Sequence, residues 1–204
     1  MKHFRWLLVL VACFSLCCMS PRVPRAAHPA VSLHFHADDD FTAHERKLLA
    51  RAADNLRAQS GGLVDVTYTY DLTEGPKPPQ DEWWLAREDS ISLAFQLQDP
   101  RLIYGLTVPA VTQMVLVYDR LGSDEQFVHT AMHEMLHAIG VPHLAEKCQA
   151  GQEACTTIFG AGAVMANGAS WSDGYMAPQC MNLADRKAVA SVLHRTLAEV
   201  PGCS

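Results

Sequence analysis

Hydrophobic and polar positions alternate from Val31 to His36 (VSLHFH), with Val31, Leu33 and Phe35 on one side, which predicts a first β-strand. His34 and His36 share its other face; two-apart histidines can bind a metal, but a solvated or lightly buried face is the simpler reading. Asp38, Asp39 and Asp40 follow as a loop whose acids suit a helix start, with Ca²⁺ as an alternative that no motif supports. Thr42 to Glu45 spells a capping box, opening a helix that turns Leu48, Leu49, Ala52, Ala53 and Leu56 inward and ends at Gly61-Gly62. Leu63 to Tyr70 reads as a strand with Val64, Val66, Tyr68 and Tyr70 on one face. Residues 71–82, with Pro76, Pro78 and Pro79, read as a surface loop, and Trp83-Trp84 as packing beneath it or a substrate-side aromatic pair. Ile91 to Leu97 (ISLAFQL) and Gln113 to Tyr118 (QMVLVY) read as further strands. Ser123 to Gln126 forms a second capping box, so a helix starts near Asp124 and runs to Gly140, burying Phe127, Val128, Ala131, Met132, Met135, Leu136 and Ile139. Beyond it the chain is irregular and glycine-rich until Asn182 caps a last helix containing Val189, Val192, Leu193 and Leu197. This order predicts an α+β fold: a mixed twisted sheet, a long central helix, a loop-rich C-terminal half and a C-terminal helix.

The central helix carries the chemistry. His133, Glu134, His137, Gly140 and His143 spell H-E-x-x-H-x-x-G-x-x-H. Histidines four apart lie on one helix face about 6 Å apart along the axis, close enough for both to reach one Zn²⁺ at ~2.0–2.1 Å. Glu134 follows the first histidine, so its carboxylate can reach a water beside the metal without occupying the metal. His143 would stand ~15 Å beyond His133 on a continued helix, and joins the same ion only if the chain reverses. Gly140 permits the reversal, because glycine enters the left-handed conformation that ends helices, and Pro142 keeps the helix from resuming. His129 stands ~12 Å along the axis from His137, too far to share the ion, and reads as support for the ligands or plain packing.

These residues resemble the signature of the metzincin zinc endopeptidases, and the compact chain looks most like their matrixin-type members. The resemblance implies a metzincin-like zinc-protease domain with one catalytic Zn²⁺ on His133, His137 and His143. Glu134 would take the proton of a zinc-activated water as it attacks a peptide carbonyl. It also implies a methionine turn beneath the histidines, for which Met165 is favoured and Met176 is the alternative. Tyr104-Gly105-Leu106 loosely resembles the segment leading to the edge strand of the substrate cleft. The resemblance stops short of a cysteine-switch propeptide, which no motif here supplies. Two other readings of the same residues are a non-catalytic, zinc-stabilised extracellular binding module and a zinc hydrolase of a non-peptide amide.

The remaining sequence sets the context. The chain of 204 residues is 49% hydrophobic and 19% charged, an ordinary globular composition for one domain over residues 26–204. Residues 1–25 read as a secretory signal peptide or a lipoprotein leader with Cys13 as the lipidated residue, a transmembrane anchor being the third reading. Loss of that leader removes Lys2, Arg5, Arg22 and Arg25 and takes the formal charge from −6 to −10. That balance argues against nucleic acid and anionic membranes as partners and favours neutral or basic proteins or peptides as substrates. A secreted or extracytoplasmic monomer follows as the expectation, with no transmembrane span in the mature chain. Cys148, Cys155, Cys180 and Cys203 then form two disulfides, with Cys148–Cys155 and Cys180–Cys203 preferred on proximity in sequence.

Overall fold

In the computed structural model the described residues are 29–72, 82–97, 104–143, 164–165 and 180–196. The leader, the proline-rich stretch at 73–81, Met176, Cys13, Cys148, Cys155 and Cys203 lie outside them. Cys180 is disulfide-bonded.

Strand β1 (Val31–Asp38) and strand β2 (Val64–Leu72) pair in parallel from Val31↔Val64 onward, joined by helix α1 (Ala43–Gln59). The period-2 pattern decides which face of β1 is covered: Leu33, Phe35 and Ala37 are buried, while His34 and His36 sit on the other face. Helix α1 opens on the predicted capping box, with the Glu45 N–H donating to the Thr42 hydroxyl and the Thr42 N–H to the Glu45 carboxylate. Its buried stripe is the predicted one, and Gly61 and Gly62 leave it at φ 68° and 81°.

Two expectations fail over residues 83–97. Trp83-Trp84, read as packing beneath a loop or a substrate-side pair, opens strand β3 (Trp83–Glu88), which pairs in parallel with β1 and with β5 (Gln113–Val117). Its sequence, WWLARE, does not alternate because Leu85 and Ala86 are both buried, as expected of an inner parallel strand covered on two sides. Ser90–Leu97, read as a strand, is helix α2. Asp89 initiates it, accepting from the backbone N–H groups of Ile91 and Ser92 and from the Ser92 hydroxyl. A strand would put Ile91 and Leu93 on one face; the helix leaves Ile91 80% exposed and buries Leu93.

Strand β4 (Gly105–Val108) runs antiparallel to β5 and completes a five-stranded sheet of order β2-β1-β3-β5-β4. The fold is therefore mixed α/β, with four parallel strands and one antiparallel edge. One sheet face, lined by Leu33, Phe35, Val64, Val66, Leu85, Met114 and Leu116, builds the main core with α1 and with helix α3 (Asp124–Ala138). The opposite face carries a smaller cluster of Ala86, Val115, Val117 and Leu93, with Leu106 against it. Helix α4 (Leu183–Val192) opens at Asn182 as predicted and adds Val189 to the main core. Among the described residues no helix is long and apolar enough to cross a membrane.

Candidate metal centre

Helix α3 begins where the serine cap predicts, with the Gln126 N–H donating to the Ser123 hydroxyl. The capping box is only half formed, because the Gln126 side chain accepts from Gly122 instead of Ser123. Phe127, Val128, Ala131, Met132, Met135 and Leu136 are buried and seat the helix against α1, β4 and β5. That packing fixes the rotation of the helix, and with it the direction in which His133 and His137 project.

The helix ends with Ile139 at its cap and Gly140 at φ 90°. The Val141 N–H bonds the Leu136 carbonyl at 3.0 Å and the Gly140 N–H bonds the His137 carbonyl at 2.9 Å. This pair of bonds is a Schellman turn, which satisfies the last carbonyls and reverses the chain. His143 is thereby returned to the ligand face. The three Nε2 atoms form a triangle: His133 to His143 3.0 Å, His133 to His137 3.1 Å, His137 to His143 3.1 Å.

The other ring nitrogens explain the triangle. His133 Nδ1 donates to the Val164 carbonyl at 2.7 Å, and His137 Nδ1 donates to the Val141 carbonyl at 2.8 Å. A carbonyl only accepts, so each bond holds the proton on Nδ1 and leaves a lone pair on Nε2. Burial, opposed by the Val164 bond and reinforced by the neighbouring histidines, holds the His133 pKa down at about 3, so its ring is neutral. Lone pairs pointed at one another at this range repel unless a cation stands between them. A tetrahedral ion with nitrogens at ~2.0–2.1 Å spaces its ligands about 3.3–3.4 Å apart, so the triangle needs to open by only a few tenths of an ångström. The donor set fits one zinc ion, with a fourth position not taken by these ligands. Among the described residues, this is the sole group of three histidine, cysteine or acidic side chains able to hold a metal.

Glu134 is buried, and its Oε2 accepts from the Thr107 hydroxyl of β4 at 2.7 Å. Burial pushes its pKa up to about 7, the Thr107 bond pulling the other way. A cation on the triad would draw it down again. Gly105 faces the same carboxylate: a Cβ there would stand 2.8 Å from Glu134 Cγ and 2.9 Å from Oε1.

Val164 and Met165 form a turn whose backbone N–H groups donate to the Asp185 carboxylate of α4 at 2.8 and 3.1 Å. The fully buried Asp185 also accepts from Asn182. Burial raises the Asp185 pKa, and these three backbone bonds oppose the rise. Met165, the favoured methionine, is fully buried in the main core one residue from the carbonyl that holds His133.

The sequence reading thus placed His133, His137, His143, Glu134 and Gly140 together, and missed Thr107, Asp185 and the Val164 carbonyl. Asp185 carries one local signal, its place three residues after the Asn182 cap, which does not reveal its reach to Val164. His129 lies outside the triangle, its ring 6.1 Å from that of His133. His34 and His36 face outward from the sheet instead, His34 between Thr67 and Thr69 and His36 between Asp71 and Glu82. Asp38 serves β3, accepting from the Arg87 N–H at 2.8 Å.

No protein-family model matches the sequence, and no curated protein matches it. Among solved structures the fold is similar to that of archaemetzincin from Methanopyrus kandleri, with a TM-score of 0.52 and 16% sequence identity. The match covers 85% of this chain and 99% of that one. At this identity the likeness is one of fold.

Proposed function

We propose that this protein is a zinc-dependent endopeptidase of metzincin type, resembling the matrixins in its compactness. The observation that carries the reading is the convergence of three Nε2 atoms within 3.1 Å, two of them with their lone pairs fixed inward by carbonyl bonds from Nδ1. His133, His137 and His143 would hold the ion. Bound zinc supplies Lewis acidity, polarising a carbonyl and lowering the pKa of a water.

The chain's own groups do the rest. Glu134 takes the proton from the attacking water as its oxygen bonds the scissile carbon. It then delivers that proton to the amine nitrogen as the C–N bond breaks, so the carboxylate base is regenerated. Strand β4, at the sheet edge and against Glu134, supports a peptide over a compact amide as substrate, since an extended chain can add to such an edge. The Val164–Met165 turn would serve as the methionine floor beneath the ligands. Secretion or residence outside the cytoplasm, removal of residues 1–25 with or without lipidation of Cys13, two disulfides and a monomeric state complete the proposal.

The test is zinc content per chain, then cleavage of casein with and without a chelator, beside Glu134→Gln. One zinc, chelator-sensitive cleavage and an inactive Gln variant are expected. Zinc retained with full activity in the Gln variant would overturn the role of Glu134. No zinc would overturn the site.

A further inference from the structure

Alternation along β4 sends Gly105 and Thr107 to one face and Leu106 to the other, where Leu106 meets the smaller cluster. The face bearing Gly105 and Thr107 meets α3 at Glu134 and, one turn earlier, at Thr130. Thr107 Oγ1 lies 2.7 Å from Glu134 Oε2 and 3.0 Å from the Glu134 carbonyl oxygen. A single hydroxyl proton serves these two acceptors, and the shorter distance is to the carboxylate. On the other side, a Cβ at position 105 would stand 2.9 Å from Oε1 and 2.8 Å from both Glu134 Cγ and Thr130 Cγ2. Glycine is therefore what leaves Oε1 room, while threonine holds Oε2. The two carboxylate oxygens are made unequal by residues two apart on one strand.

We infer that Thr107 is a positioning residue for the proposed reaction: its hydroxyl anchors Oε2 of Glu134, so that Oε1 is the oxygen that takes and returns the proton. This rests on the peptidase reading for its chemistry, though not for its geometry. A glutamate side chain has three rotatable bonds, and without the anchor its carboxylate samples orientations that face neither water nor leaving amine. The anchor also ties the proton-carrying group to the strand beside which an extended substrate would lie, so both move as one body.

The test compares Thr107→Val, which keeps shape and removes the hydroxyl, with Thr107→Ser, which keeps the hydroxyl. On zinc-loaded protein with casein as substrate, Thr107→Val is expected to lower kcat about tenfold or more, with KM and zinc content within about twofold, and Thr107→Ser to restore most of the rate. A second readout needs no turnover: the ¹³C resonance of the Glu134 carboxyl, assigned by its loss in Glu134→Gln, should shift in Thr107→Val and return in Thr107→Ser. If wild type cleaves nothing, the peptidase reading fails, and the resonance alone decides the role of Thr107. A resonance unmoved by Thr107→Val overturns the inference in either case. So does wild-type kcat in Thr107→Val, or a serine variant as slow as the valine one.

Discussion

Glu134→Gln should make the metal-free protein more stable, and only above the acid range. Burial raises the Glu134 pKa from 4.5 to about 7 in the fold. Below pH 4.5 the group is neutral folded and unfolded, and costs nothing. As pH rises from 4.5 to 7 the unfolded chain releases the proton and the fold keeps it, so stability falls by ~1.4 kcal/mol per pH unit and levels off above 7. The accumulated cost is about 3 kcal/mol at pH 8. Glutamine, which never ionises and can still accept from Thr107, escapes it. Wild type alone would hide the effect, because His133 titrates in the opposite sense. Its pKa is lowered from 6.5 to about 3, so the stability it contributes is present above 6.5 and lost as pH falls toward 3. Between 4.5 and 6.5 the two slopes oppose, and only the difference between the variant and wild type isolates Glu134. The assay is urea unfolding of both proteins with chelator at pH 4.5, 6 and 8. The expected advantage of Glu134→Gln grows from near zero to about 3 kcal/mol, and shrinks when zinc is restored because the ion favours the carboxylate. A difference that stays flat with pH would refute the argument that burial governs this group.

Other outcomes follow from the surrounding contacts. Asp185→Asn replaces one of two accepting oxygens with a donor and strands a buried backbone N–H, a loss of ~1–3 kcal/mol. Thermal melts should fall by about 5 °C and zinc affinity by about tenfold or more, since Val164 also holds His133; competition with a chromophoric chelator measures the latter. Gly105→Ala drives a Cβ into Glu134 and Thr130 and should cost ~1–3 kcal/mol with loss of casein cleavage; an unchanged melting temperature would show that β4 yields freely. Gly140→Ala forces a side chain into φ 90° and should cost about 1–2 kcal/mol while weakening zinc binding through His143, both read in the same two assays.

What the sequence discloses depends on range. The ligands, Glu134 and the reversal at Gly140 fall within eleven consecutive positions, where helix period and glycine conformation dictate geometry. Helix α1 and strands β1 and β2 were equally legible, because each buries one face and keeps a clean period. Strand β3 was not, since burial on both faces erases alternation. Helix α2 was misread because ISLAFQL alternates over only seven residues, too few to separate a period of 2 from one of 3.6, and the deciding residue, Asp89, lies just before it. The supports of the site were invisible for another reason. Thr107 is 27 residues from Glu134, Val164 is 31 from His133, and Asp185 is 21 from Val164. No local pattern encodes those meetings.

The two carbonyls that orient the ligands differ in a way that bears on the order of assembly. His137 is oriented by Val141, four residues away, inside a turn that forms as soon as the helix ends. His133 depends on Val164, and so on a chain closure that becomes available only when the last helix docks. Of the two rings oriented in this way, His137 is therefore set within a local turn and His133 only across a long-range closure. A zinc ion captured before that closure would meet His133 free to turn, and its release would be fast. Slow release would begin only once the last helix is docked, so the proposed metal would be retained by finished molecules and lost by unfinished ones.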